Sequence, residues 1–192
     1  MRTVLIAAAI AVSASASASW AVLPVGAKAP AFQTQGALGG KKFTLKLKDQ
    51  LSKGPLVLYF FPAAFTQGCT LETRAFADNI DAFREEGAQV VGMANDPIDK
   101  LADFSEKECR STFPMAVATP AVIGAYDVKM PALPQFSPEV AAKMAGRANR
   151  TSYVIAPDGR IIYVHSDLDY KDHVKNTLAA VRQWRAAHPV KG

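Results

Sequence analysis

The sequence predicts an α/β fold: a central mixed β-sheet flanked by helices, with an N-terminal β-hairpin. Three observations predict it. Leu56–Phe61 is an unbroken apolar run of strand length, the pattern of a strand covered on both faces. Phe76, Ile80 and Phe83 follow at i, i+4 and i+7, a helical stripe. Later, two apolar runs flank Pro157-Asp-Gly-Arg160, the chemistry of a tight turn in an antiparallel hairpin.

The elements follow in order. Pro24–Pro30 is a Gly/Pro-rich entry segment, and Phe32–Gln35 and Lys42–Leu47 flank Gly36 and Gly39-Gly40 as an edge hairpin. The central strand Leu56–Phe61 stops at Pro62. A helix over Thr70–Glu86 ends at Gly87, and Gln89–Met93 is a second buried strand. Asp96 and Pro97 read as N-cap and first residue of a helix that turns Leu101 and Phe104 inward and runs to Cys109. Ala121–Tyr126 reads as a short helix, while Lys129–Asn149, rich in Pro and Met, is left without an assigned element. Arg150–Ile155 and Ile161–Val164 form the late hairpin, and Val174, Leu178, Val181 and Trp184 stripe a closing helix. Strand–helix–strand–helix, then hairpin and helix, is the order of a thioredoxin-like α/β sandwich.

A chain of 192 residues, 49% hydrophobic and 20% charged, suits one domain with a core that stands without staples. The net charge of +5 is spread over interspersed Lys, Arg, Asp and Glu with no basic run. That describes a solvated surface and not a nucleic-acid footprint. Residues 1–21 read as a cleavable secretory signal. Met1-Arg2 is a minimal basic start, Val4–Val12 is too short to span a bilayer, and Ser13–Ser19 alternates with Ala. Cleavage is expected after Ala21, with Ala16-Ser17-Ala18 offering an earlier site, and an uncleaved anchor is the competing reading. Residues 22–192 then form one domain, soluble and exported, periplasmic in a bacterium, with no membrane segment in the mature form.

Export gives the two cysteines, Cys69 and Cys109, a compartment in which a disulfide can persist. Cys69 falls where the central strand gives way to a helix, in the sequence Ala63-Ala-Phe-Thr66-Gln-Gly-Cys69-Thr-Leu-Glu72. Unpaired backbone N–H groups and the helix dipole favour an anion there. A cysteine so placed, beside a cation, ionises well below the ~8.5 of a free thiol. Thr66 can turn its hydroxyl to the sulfur or to a bound oxygen, and Pro62 stiffens the loop. On these grounds two readings stand: a reactive thiolate, or an inert small hydrophobe opening a helix.

The pattern Pro62-x-x-x-Thr66-x-x-Cys69, directly after Tyr59-Phe60-Phe61, resembles the active-site motif of the peroxiredoxins. It is most similar to the bacterioferritin-comigratory, or Q-type, branch, and the resemblance runs over roughly residues 25–185. Gly26–Phe32, Val90-Val-Gly-Met93, Asp103–Lys107 and Arg150-x-Ser-Tyr-Val-Ile155 with Pro157-Asp-Gly159 resemble the family's flanking segments. The resemblance implies a thiol peroxidase acting on hydrogen peroxide and organic hydroperoxides. Cys69 would be the peroxidatic thiolate, oxidised to a sulfenic acid. Thr66 would hydrogen-bond the peroxide, Pro62 would shape the pocket and Arg150 would be the activating cation, with Arg147 a nearby competitor. The N–H groups of Gly68 and Cys69 would complete the oxygen cradle, and Glu72 would support it.

The branch often carries a resolving cysteine five residues after the peroxidatic one. Arg74 stands there. Cys109, about 80° around its helix from Leu101, resembles the resolving cysteine of other branch members. It is the candidate for an intramolecular disulfide with Cys69; a bystander thiol in a one-cysteine peroxidase and an intersubunit bridge are the alternatives. The implied partners are the peroxide and a thioredoxin-like or other thiol reductant, with no nucleic acid, and the chain is expected as monomer or homodimer.

Neither a metal nor another cofactor is expected. His165, His173 and His188 lack ligand spacing, the Met residues suit packing, and no phosphate loop is present. Asn149-Arg-Thr151 is a glycosylation sequon at the start of a core strand, a poor acceptor. A thioredoxin-like disulfide reductase would need Cys-x-x-Cys, where this chain has Thr66-Gln-Gly-Cys69. A copper-binding module would want a cysteine at Thr73.

Overall fold

The computed structural model describes residues 22–189 apart from Leu133 and Gln135. The secretory leader expected over residues 1–21 lies outside the described residues. Seven strands form one mixed sheet: β1 (Gln33–Leu38), β2 (Lys41–Lys46), β3 (Leu56–Phe60), β4 (Gln89–Ala94), β5 (Met115–Val117), β6 (Thr151–Ile155) and β7 (Ile161–Ser166). Their order across the sheet is β2-β1-β5-β4-β3-β6-β7. The centre is parallel, β3 with β4 and β4 with β5, and the outer pairings are antiparallel. Among the described residues, seven helices accompany the sheet: α1 (Leu47–Leu51), α2 (Gln67–Asp78), α3 (Ile80–Glu85), α4 (Ile98–Lys107), α5 (Pro120–Ala125), α6 (Pro138–Met144) and α7 (His173–Ala187).

β3 explains the two-layered core. Alternate side chains point to opposite faces of a strand. Val57, Tyr59 and Phe61 join a cluster with Phe76 of α2, Phe83 of α3, Phe104 of α4 and Val181 of α7. Leu56, Leu58 and Phe60 join the opposite cluster with Leu47, Leu51, Val122 and Ile123 from α1 and α5. Every residue of β3 is buried, which is why its sequence shows no polar alternation. Gly92 in β4 is required by close approach, because a Cβ there would lie 2.7 Å from the Tyr59 ring and 2.6 Å from the Met115 sulfur.

The helix expected over Thr70–Glu86 is two helices, α2 and α3, meeting at Asn79. The apolar stripe hides the break, since Phe76, Ile80 and Phe83 are all buried on both sides of it. The α4 helix is shorter than expected at both ends. Pro97 is its N-cap with extended backbone, and Cys109 lies past its end in a turn where Arg110 and Ser111 adopt φ 50° and 58°. Leu47 opens α1 instead of closing β2. The segment without an assigned element contains α6, started by Ser137, whose hydroxyl accepts from the Val140 N–H, and Pro138.

Candidate active site

The loop between β3 and α2 carries the motif at the C-terminal end of a central strand. Phe61 is tied to β4 by its N–H to the Met93 carbonyl (3.0 Å). Two side chains from elsewhere fix the residues that follow. The Asp96 carboxylate accepts the Ala64 N–H (2.8 Å), and Arg147 donates to the Pro62 carbonyl (3.1 Å). Asp96, read as a helix cap from sequence, is therefore buried against the loop, paired with Lys100 (2.9 Å) and near Arg147 (3.6 Å). Phe65 takes a left-handed φ of 64° and lays its ring edge-on to Phe104 at 5.0 Å.

Thr66 is the N-cap of α2 in extended conformation, and its carbonyl accepts the first helical bond from the Thr70 N–H (2.8 Å). The N–H groups of Gln67, Gly68 and Cys69 have no intrahelical acceptor by geometry. Thr66 spends its own hydroxyl hydrogen on the Ala63 carbonyl (3.0 Å), leaving its oxygen lone pairs free to accept. Cys69 is the third residue of α2 and 1% exposed.

Opposite the sulfur stands Arg150, at the residue before β6. Its Nη2 donates to Cys69 Sγ (3.6 Å), its Nη1 to Glu72 Oε2, and its Nε to the Leu168 carbonyl (2.8 Å). The guanidinium is thus oriented on three sides. Burial works against its charge, but Glu72 and Cys69 outweigh this and hold its pKa above the ordinary arginine value. Gly68 leaves room for it, since a Cβ there would sit 3.3 Å from Nη2. Arg147, the competing cation, binds the Pro62 carbonyl instead of the sulfur.

Behind Arg150 lies a buried polar chain that the sequence did not reveal. Glu72 is fully buried, and burial pushes its carboxyl up to about 7 against the opposing pull of Arg150. Among the described residues its Oε1 has no hydrogen-bond partner, and it faces His173 Nδ1 at 3.7 Å. His173 Nδ1 pairs with the Ser152 hydroxyl (2.8 Å), and Nε2 donates to the Asp167 carbonyl (3.0 Å). Burial lowers the His173 pKa to about 4, so the imidazole is neutral at ordinary pH. His173 starts α7, and no local pattern announces a partner that arrives from α2.

Cys109 is fully buried in the same apolar cluster as Cys69, and both are free thiols. Burial pushes the Cys109 pKa well above its ordinary value. The Tyr59 phenol, hydrogen-bonded to Thr73 Oγ1 (3.0 Å), lies within electrostatic reach of both sulfurs. Arg74, which occupies the place of a local resolving cysteine, pairs with Glu108 (2.7 Å), and Arg84 donates to the Thr112 carbonyl (2.8 Å). These contacts hold the turn that carries Cys109 against α2 and α3.

The family model of the AhpC/TSA family matches residues 25–164. The chain belongs to the AhpC/TSA family. It is similar to peroxiredoxin Bcp of Bacillus subtilis (strain 168), at 29% identity over 160 residues, covering 83% of this chain and 96% of that one. Among solved structures, it is similar to peroxidoxin BcpB from Mycobacterium tuberculosis, with a TM-score of 0.70 and 30% identity, covering 83% and 96% of the two chains. Peroxiredoxin Q from Xanthomonas campestris shares the fold, with a TM-score of 0.64 at 22% identity over 78% of this chain and 89% of that one. The chain is thus a peroxiredoxin of the Bcp/Q type, an oxidoreductase with thiol peroxidase activity on a thioredoxin-like fold. In this peroxiredoxin, the Thr66–Cys69 segment and Arg150 come together from residues 81 apart in sequence, measured from Cys69 to Arg150.

Proposed function

We propose that Cys69 reduces hydrogen peroxide and organic hydroperoxides as a thiolate paired with Arg150. The observation that carries this is the Arg150 Nη2 hydrogen bond to Sγ at the first turn of α2. The sulfur attacks the terminal peroxide oxygen. An S–O bond forms, the O–O bond breaks, and the departing oxygen takes a proton to leave as water or alcohol. Cys69 becomes a sulfenic acid. The free lone pairs of Thr66 accept the peroxide O–H, while Arg150 and the N–H groups of Gly68 and Cys69 stabilise charge on the two oxygens as the bond breaks. Pro62, fixed through its carbonyl by Arg147, shapes the wall of the site.

The sulfenic acid is then resolved by Cys109: the thiol attacks Cys69 sulfur, water leaves and one intramolecular disulfide forms. A dithiol reductant of thioredoxin type returns both thiols and is itself oxidised to a disulfide. A disulfide needs Cα atoms within ~7 Å and aligned Cβ vectors. Supporting this route, the Cys109 turn is outside α4 and carries two left-handed non-glycine residues. The burial of Cys109 favours a second reading, a one-cysteine peroxidase. Mass analysis after one equivalent of peroxide separates them. Loss of two hydrogens within one chain is expected, and a persistent Cys69 sulfenic acid with Cys109 free establishes the second reading.

The composition of residues 1–21 supports export, with Val22 as the first mature residue and a periplasmic site of action in a bacterium. The reductant must then be a thiol protein of that compartment. Monomer and homodimer both accommodate a site whose described groups come from one chain.

A further inference from the structure

At the opposite end of the sheet from Cys69 lies a cavity of about 500 Å³, within the size range of small-molecule sites. It opens beside Gln89 and Val90, where β4 begins, whereas Cys69 follows the far end of the parallel strand β3. Buried apolar residues, including Ile80, Val90 and Phe113, line it. At its mouth stand Leu38 and Phe43, 40% and 39% exposed, two of the few large hydrophobic side chains left in water among the described residues. Its charged lining is of one sign: Lys41, Lys42, Lys53 and Arg84, with no carboxylate among the lining residues. Lys42 is paired with Asp99, and Arg84 with Asp81 and the Thr112 carbonyl. Lys41 and Lys53 are exposed and have no ion-pair partner among the described residues.

We propose that this cavity binds an amphipathic anion, an organic carboxylate whose apolar body enters between Phe43 and Phe113 while its charged head meets Lys41 and Lys53. The physical case is that the two halves of the lining ask for different things. An apolar floor gains from displacing water onto a hydrocarbon body. Two exposed rim lysines that no carboxylate among the described residues neutralises gain from an incoming anion. A neutral apolar molecule satisfies only the first, and inorganic phosphate only the second. Lysines on the edge strand β2 also discourage strand-to-strand association, but Lys53 lies beyond α1, off that edge, and is not explained by that role.

The probe is dodecanoate, titrated into the reduced full chain while displacement of 1-anilinonaphthalene-8-sulfonate fluorescence is followed. Saturable displacement is expected with dodecanoate, and at least tenfold weaker displacement with dodecanol and with inorganic phosphate. The double variant Lys41→Glu/Lys53→Glu, both on the surface, should lose tenfold or more in dodecanoate affinity and keep peroxide reduction unchanged. Phe43→Ala should weaken binding without altering the phosphate result. Cys69→Ser should bind dodecanoate as the parent does. Equal competition by dodecanol or by phosphate, or affinity indifferent to the double charge reversal, overturns the proposal. So does loss of binding in Cys69→Ser, which would place the anion at the peroxidase site.

Discussion

Arg150 is held by three partners of different kinds, a carbonyl, a carboxylate and a thiol sulfur, and this fixes what its removal should do. Arg150→Ala takes a charged donor from the sulfur and leaves Glu72 buried without its cation. The rate of peroxide reduction should fall by on the order of 10²–10³-fold, as for loss of a charge-stabilising donor. The protein should also lose about 3–5 kcal/mol of stability, measured by denaturant unfolding. Arg150→Lys cannot hold the carbonyl, carboxylate and sulfur together and should recover little of either. His173 makes a separate prediction. Its folded pKa, near 4, lies below the ordinary histidine value of about 6.5, so its contribution to stability is present above pH 6.5 and is lost as pH falls through 4. Glu72 has the opposite sign: its folded pKa is raised to about 7, so its contribution is greatest below its ordinary pKa and is lost as pH rises through 7. The two oppose each other in the parent, so the informative quantity is the stability difference between parent and His173→Asn. That difference should shrink by about 3 kcal/mol between pH 7 and pH 4. A difference independent of pH would show that His173 is not held neutral by its buried setting.

At the scale of elements, the apolar runs told more than the boundaries did. Leu56–Phe61 was legible as a buried central strand because both of its faces are covered, and the late hairpin because its turn chemistry is local. The break at Asn79 was not legible, because the stripe of Phe76, Ile80 and Phe83 stays in phase across it. β5 was missed because three residues, Met115–Val117, are too few to show a period. The α6 helix had a readable start in Ser137-Pro138-Glu139, masked by the surrounding proline-rich composition. The packing of β4 on β3 gives a direct test. Gly92→Ala would drive a Cβ into the Tyr59 ring and the Met115 sulfur, and it should cost about 1–3 kcal/mol in denaturant unfolding. By contrast, Arg74→Ala removes a half-exposed ion pair with Glu108 and should cost no more than about 1 kcal/mol. Its more informative readout is the rate at which Cys109 reacts with a thiol reagent, which should rise as the turn is released.

For the whole molecule, the motif residues Pro62, Thr66 and Cys69 were legible because they lie within eight positions of one another. Arg150 was reachable only through family resemblance, and the contacts that Asp96, Arg147, Ser152 and His173 make only through the tertiary fold, although Asp96 was read as a helix cap and Arg147 as a rival cation. Each of these four acts on a partner more than ten residues away. A residue whose role depends on such a contact leaves no periodic or spacing signal. Cys109 shows the same limit: its expected helical position, about 80° around from Leu101, did not announce burial, while the fold buries it completely. The proposed export makes a prediction at this scale too. Protein recovered from the periplasm of a producing bacterium should have an intact mass lacking residues 1–21, with Val22 first; a full-length mass in the membrane fraction would contradict it.

The peroxidatic role of Cys69 is tested most directly by single-turnover peroxide reduction with the parent, Cys69→Ser and Cys109→Ser proteins, with dimedone present to trap sulfenic acid. Cys69→Ser should show no peroxide loss above background. Cys109→Ser should complete a full first turnover and carry a dimedone adduct on Cys69. Peroxide consumption by Cys69→Ser at the parent rate, or an adduct on Cys109 in the parent with Cys69 untouched, would contradict that role.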